Sequence, residues 1–318
     1  MAGGNTDDLV LYCHPISYYS RRVLMILEEK ELKYKKVMVG LDGQNLQPWY
    51  LKINPKGEIP AITHGDRNVY DSNAVIDYLE ESFPEAKRLL AEKGTIEGDK
   101  VQRWRNRIND IGIEAATTGC IMFREMYAKD AGTPPGMSKL ITERKKATMR
   151  LCETLTEKFP EYAEFYQTKL KRFRDNSELM NGERGMQEVE RRLEEMDTIL
   201  NEMENQLQET RNSFPDGDHW FLGQDFTAAD VYLAVLLDRL KYLGLAHHFR
   251  DHMPFLTAYL DRLNQRRSFR LIVSEMSRFF RLMMFRKLIA GVKKMALPVA
   301  GLIAAVAAAW IYVYNYSK

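Results

Sequence analysis

Apolar and polar positions alternate along the chain in two different ways, and the change divides it. Leu9-Val10-Leu11-Tyr12 is a short continuous apolar run, which predicts a buried strand. Pro15 and Ser17 punctuate it, and Val23, Leu24, Ile26 and Leu27 then supply the buried side of a helix. Lys35 to Val39 reads as a second strand. In Asn54-Pro55-Lys56-Gly57-Glu58-Ile59-Pro60-Ala61-Ile62, Pro55 and Gly57 break the chain before a third strand. The Ile59-Pro60 bond is a candidate for the cis form, because only X-Pro bonds adopt it readily. His64 to Asn68 makes a turn, Val69-Tyr70 a fourth short strand, and Asp71 or Ser72 caps a helix carrying Ala74, Val75, Tyr78 and Leu79. A βαβ unit, a hairpin and a closing helix predict a small α/β domain over residues 9–84, behind a flexible polar start at 1–8.

Beyond Pro84 the period becomes helical. Val101, Trp104, Ile108, Ile111 and Ile113 predict one long helix, and residues 95–275 read as an all-α domain. In Phe226-Thr227-Ala228-Ala229-Asp230-Val231, Thr227 is an N-cap and Asp230, three residues on, can reach back to it. The helix that follows, Val231 to Leu240, is apolar enough to be the domain's buried centre, which makes Asp230 structural rather than catalytic. A charge-rich insertion occupies about 129–184, between Thr133-Pro134-Pro135-Gly136 and Asn181-Gly182. It reads either as a solvated helical extension or as a docking surface for a protein partner, with Lys171, Arg172 and Arg174 around Phe173 as an apolar anchor.

The C-terminal stretch changes character again. Residues 277–292 form a basic, aromatic amphipathic helix, suited either to an anionic membrane surface or to packing on the body. Residues 295–314 carry no Asp, Glu, Lys or Arg and, at about 20 residues, match the thickness of a bilayer core. Lys293 and Lys294 flank one end and Trp310, Tyr312, Tyr314 and Tyr316 the other, so a transmembrane tail anchor is expected, with the folded domains in the cytosol.

Composition narrows this picture. Of 318 residues, 45% are hydrophobic and 28% charged, as in ordinary globular chains, which excludes wholesale disorder. A net charge of +2, with acids and bases interleaved, points away from nucleic acid. Cys13, Cys120 and Cys152 are odd in number and widely spaced, which fits a reducing compartment and argues against a disulfide framework or a zinc site; no metal is expected. The acidic, polar opening predicts neither a secretory leader nor a transit peptide.

Candidate chemistry gathers where the strands end. A capped helix start presents unpaired N–H groups and partial positive charge to an anion. A strand with free backbone beside a proline can pair with an extended peptide. The run Asn54-Pro55 through Ile59-Pro60, followed by Asp71-Ser72, resembles the glutathione transferase family, whose usual second pair is Glu-Ser or Gln-Ser. The resemblance implies a thioredoxin-like N-terminal domain and an all-α C-terminal domain. It implies glutathione as ligand, with Ile59 and Pro60 at its cysteinyl backbone and Asp71 and Ser72 at its γ-glutamyl end. It places Ser17 at the position that handles the glutathione sulfur, where the residue reads either as a thiolate-stabilising hydroxyl or as a plain N-cap. Cys13 beside His14 and the tyrosines Tyr12, Tyr18 and Tyr19 are the alternatives, each also readable as packing.

Two transferase-like domains, an enlarged helical insertion, an amphipathic helix and a C-terminal anchor together resemble the ganglioside-induced differentiation-associated proteins. That resemblance implies residence in the mitochondrial outer membrane, facing the cytosol, and a role in fission, network shape, membrane contacts and redox balance. The anchor alone does not distinguish that membrane from endoplasmic reticulum or peroxisome. A homodimer is one implied assembly. An active transferase joining glutathione to small electrophiles is the competing function.

Overall fold

The computed structural model describes residues 6–129, 133–134, 136–179, 182–215, 219–294 and 305–312. Four short strands, β1 (Leu9–Cys13), β2 (Lys35–Met38), β3 (Ala61–His64) and β4 (Arg67–Tyr70), form one sheet in the order β2-β1-β3-β4. β1 and β2 are parallel, whereas β1–β3 and β3–β4 are antiparallel. Leu9, Leu11 and Cys13 are buried while Val10 and Tyr12 are half-buried, the two-residue alternation that a strand imposes. Helix α1 (Tyr18–Glu29) connects β1 to β2, short α2 (Pro48–Leu51) lies between β2 and β3, and α3 (Ser72–Ser82) follows β4.

The expected long helix of the second half is two. Helix α4 (Ile96–Asp110) stops before Gly112, whose φ of +60° no helix interior adopts, and α5 (Ile113–Met122) restarts after it. One turn, α6 (Arg124–Tyr127), leads to the insertion. Helices α7 (Met137–Lys158) and α8 (Ala163–Leu179) form a hairpin, followed by α9 (Gly182–Ser213), α10 (Ala228–Leu243), α11 (His247–Arg250), α12 (Pro254–Leu263) and α13 (Arg267–Lys294). Helix α10 is the centre of this half, with all but two of its residues buried. Its cap works as expected: the Asp230 carboxylate accepts from the Thr227 N–H (2.8 Å) and Oγ1–H (2.9 Å), and also from the Phe221 N–H (2.7 Å) and the Tyr259 hydroxyl (2.7 Å). Four donors on one fully buried carboxylate are a structural knot.

The insertion is not a solvated arm. Cys152, Leu155, Tyr166 and Leu170 close over Leu46 and Leu51 of the α/β half, with Met149, Leu151, Phe159, Tyr162, Phe165 and Phe173 around them. Phe173, read as an anchor for another protein, is engaged within the chain.

The chain divides into a body, residues 1–269, and a tail unit, 270–318. Both transferase-like halves belong to the body, and the amphipathic stretch 277–292 is part of α13. In the tail unit, Phe285, Leu288 and Ile289 of α13 line an apolar crease with Ala305, Val306 and Ala309 of the helical residues 305–312. Most of the expected anchor, 295–304 and 313–314, lies outside the described residues; among those described, no helix is long and apolar enough to cross a membrane.

Candidate active site

The sheet topology brings the separate motifs to one edge. Tyr12, Ala61 and Tyr70 are register partners in a single row. Because β3 runs against both neighbours, the C-terminal end of β1, the N-terminal end of β3 and the C-terminal end of β4 lie side by side. Ser17 follows the first, Ile59-Pro60 precede the second, and Asp71-Ser72 follow the third.

Ser17 is the N-cap of α1, with extended backbone (φ −73°, ψ 120°). Its Oγ accepts from the Ser20 N–H (3.2 Å), its own N–H donates to the His14 carbonyl (3.0 Å), and the His14 N–H reaches the Ser20 Oγ (3.4 Å). This ring of bonds fixes the β1–α1 turn. It occupies a lone pair of Ser17 but leaves the hydroxyl proton for an acceptor outside. Ser17 is thus the N-cap of α1, and this geometry is compatible with its hydroxyl donating to an anion.

The alternatives are differently employed. Burial, assisted by the charge of Arg144 and opposed by Asp42, lowers His14 to about 4, and its Nδ1 accepts the Ile16 N–H (3.3 Å), which requires an unprotonated nitrogen. Cys13 is buried. The Tyr18 hydroxyl accepts from Arg22 (2.7 Å), Tyr12 packs on Trp49 and Tyr50, and burial pushes Tyr19 above the ordinary phenol range.

Sequence reading missed the cations behind this turn. Arg21 and Arg22 are fully buried on α1, and Arg239 of α10 donates to the Ile16 carbonyl (2.7 Å). Arg21 pairs with Asp238; Arg22 donates to Asn109 (2.6 Å) and lies 3.9 Å from the Tyr232 ring centroid. Burial, with Arg21 nearby, lowers Arg239 to about 10. Three guanidiniums against one carboxylate leave positive potential beneath the N-terminus of α1, where the helix dipole has the same sign. The signal was present as two adjacent arginines in an otherwise buried helix.

The second motif is set by its loop. The Asn54 Nδ2 (2.6 Å) and Tyr50 hydroxyl (2.7 Å) both donate to the Glu58 carbonyl, and Lys56 N–H donates to the Asn54 Oδ1 (2.9 Å). The Ile59-Pro60 peptide is cis. Registered pairs begin at Ala61, so Ile59 lies outside the ladder.

At the third motif, Asp71 rather than Ser72 is the cap. Its Oδ1 accepts from the Asn73 N–H (2.9 Å) and the Ala74 N–H (3.4 Å), while its backbone holds φ +75°, ψ 127°, a conformation few non-glycine residues adopt. Ser72 is buried at the first helical position. With Asn73, Ala74 and Val75 all bonded to Asp71, the Ser72 N–H is the remaining donor of the first turn. Tyr232 donates to the Asn73 side chain and Arg105, paired with Asp77 (2.8 Å), reaches the Asn73 carbonyl (3.5 Å), so α4 and α10 hold this helix start in place. One edge thus offers a hydroxyl donor over buried cations, a strand lead-in outside the ladder and a helix N-terminus. That set suits an elongated ligand with an anionic end and an ionisable thiol. Among the described residues no cluster of His, Cys, Asp and Glu could hold a metal ion.

Comparisons with known proteins agree with this architecture. Residues 11–87 match the glutathione S-transferase N-terminal domain and residues 186–262 its C-terminal domain. The human "Ganglioside-induced differentiation-associated protein 1-like 1" is 26% identical over 85% of this chain and 74% of its own length. Among solved structures, the beta-etherase LigF of Sphingobium superposes with a TM-score of 0.60 at 19% identity, covering 84% of this chain and 99% of that one. A glutathione S-transferase of Methylobacillus flagellatus, solved with glutathione bound, gives 0.52 at 19% identity, covering 83% and 98%. The unmatched gap, 88–185, contains the hairpin that closes on the α/β half. With its transferase fold, its two matched glutathione S-transferase domains and a likeness that runs through both halves, the chain is similar to the ganglioside-induced differentiation-associated proteins over most of its length.

Proposed function

We propose that this protein is a membrane-anchored glutathione-binding protein that uses a transferase scaffold to regulate mitochondrial network shape and redox balance from the outer membrane. The observation that carries the binding half is the convergence at one sheet edge of Ser17, Ile59 and Ser72. In this reading, Ile59 pairs with the cysteinyl backbone of glutathione, beside Pro60. The Ser72 N–H and hydroxyl take the γ-glutamyl carboxylate at the start of α3, with Asp71 next to its amino group. Ser17 donates its free proton to the sulfur, and the cations behind it favour the thiolate over the thiol. Glutathione supplies the thiol; the chain binds it, orients it and holds its charge.

The membrane half draws on the apolar run 295–314, the exposed Leu282, Met284, Leu288, Trp310, Ile311 and Tyr312, and the arginines Arg278, Arg281 and Arg286 that suit anionic headgroups. The mitochondrial assignment rests on likeness to the ganglioside-induced differentiation-associated proteins. Conjugation of the bound thiol to small electrophiles is a second reading, favoured by the spare Ser17 proton.

The test uses the full chain in lipid nanodiscs, titrated calorimetrically with glutathione. Saturable heat at millimolar ligand is expected, and none would end the binding proposal. In cells, Leu302→Arg with Ile303→Arg should make the protein extractable by carbonate, since each central charge costs about 2.5–3.5 kcal/mol of insertion. Retention of this variant in membranes would count against the anchor. Rescue of network shape by Ser17→Ala, with wild-type-like glutathione binding, would favour a regulatory role over conjugation.

A further inference from the structure

The segment between β2 and β3, residues 41–58, contains only α2 and one 3₁₀ turn (Gln44–Leu46). A connection of this kind, outside any ladder, is ordinarily among the first parts of a domain to open. Here it is gripped from end to end by the insertion. The Arg144 Nε and Nη2 both donate to the Leu41 carbonyl, the first at 3.0 Å. A side chain at Gly43 would run into Leu151, and one at Gly57 into Phe165. The Tyr166 hydroxyl donates to the Leu46 carbonyl at 2.9 Å. Lys169 (3.4 Å) and Arg172 (2.9 Å) both reach the Glu58 carboxylate. Between these polar points runs the apolar seam of Leu46 and Leu51 with Cys152, Leu155, Tyr166 and Leu170.

The Leu41 and Leu46 carbonyls are backbone acceptors that receive side-chain donors from the insertion, which exceeds what general apolar contact requires. The last contact falls on the residue just before Ile59. We propose that the α7–α8 hairpin is an intramolecular brace that holds residues 41–58, and through Glu58 the adjoining Ile59, in the position from which glutathione is bound. The proposal deepens the binding reading above and rests on it for its ligand. A brace of this kind lets the site meet its ligand already ordered, so less freedom is lost on binding. It also gives the charged insertion a reason to exist inside a single chain.

The experiment compares the full-length wild type with the double variant Arg144→Met/Tyr166→Phe, the single variant Arg144→Lys and the exposed control Lys171→Met. None of these residues is part of the binding set. Amide hydrogen exchange should accelerate about tenfold or more across 41–58 in the double variant, with α10 unchanged. Its glutathione Kd should weaken about five- to tenfold, while Arg144→Lys recovers most of both effects and Lys171→Met alters neither. Unchanged exchange over 41–58 would overturn the brace, as would acceleration spread equally over α10, which would make the hairpin a general stabiliser. A wild type that shows no saturable glutathione binding would overturn the ligand half together with the reading it rests on, whereas the exchange data decide the brace itself.

Discussion

Ser72 and Asp71 share the entrance to α3 and divide its work. The Asp71 side chain satisfies two helix N–H groups, while the Ser72 N–H is the donor of the first turn that Asp71 leaves unused. This division makes a clean test. Ser72→Ala should weaken glutathione binding tenfold or more, about 1.5–3 kcal/mol for a hydrogen bond to a carboxylate, with little change in unfolding. Asp71→Ala should cost about 1 kcal/mol of stability through the lost cap, to which Ala's poor tolerance of positive φ adds. Calorimetric titration and thermal unfolding of both variants check the pair; a Ser72→Ala protein, which keeps the backbone N–H, that binds as the wild type does would exclude the Ser72 hydroxyl from the site. Sequence alone left the cap undecided, since either residue type caps helices well. The choice depends on the backbone turn out of β4, which sets φ of Asp71 at +75°.

At the scale of elements, the end of α1 is tied to the segment that begins α13. Glu29 accepts from Arg266 through Nε (2.6 Å) and Nη2 (2.5 Å), from Lys87 (2.9 Å) and from Ser268. Arg266 also stacks on Phe226, 3.7 Å from its ring centroid, and on Trp220. Burial alone would raise the Glu29 carboxyl, but the donors outweigh it and hold it below the ordinary value. A carboxylate depressed in the folded state adds stability above its unfolded pKa and loses it as pH falls through the folded one. Wild-type stability should therefore drop between about pH 5 and pH 3 more steeply than that of Glu29→Gln, which is weaker at pH 7 but flatter. Denaturant unfolding across that range decides it; parallel curves would mean Glu29 is not the group responsible. A capping box and a continuous apolar run marked α10, which is buried on nearly all sides, while apolar periodicity located α1 and the hairpin strands. It ran α4 into α5 across Gly112, because Ile111 and Ile113 kept the apolar rhythm while the backbone turned.

Over the whole molecule, the two transferase halves were legible from chain order and from the Thr227–Asp230 box. The insertion's direction was not. Its apolar residues are diluted by charges, and their partners, Leu46 and Leu51, lie about 100 residues away in sequence. Nothing local distinguishes a helix that faces its own chain from one that faces another. The arginines beneath Ser17 were hidden for a related reason: their meaning lies in Asp238, Arg239 and Tyr232, on a helix far along the chain.

The placement of the cysteines carries a consequence of its own. All three are buried, and burial pushes Cys120 to about 12 and Cys152 to about 11, so neither offers a thiolate to an alkylating reagent in the folded state. Each thiol then acts as a clock that starts only when its surroundings open. Cys152 lies in the seam between hairpin and α/β half, and Cys120 lies in α5, apart from that seam. Timed alkylation read by mass spectrometry should mark Cys152 before Cys120 whenever the hairpin lifts without the body unfolding. The order of two labels would then film, in the unaltered protein, a motion that no static picture contains.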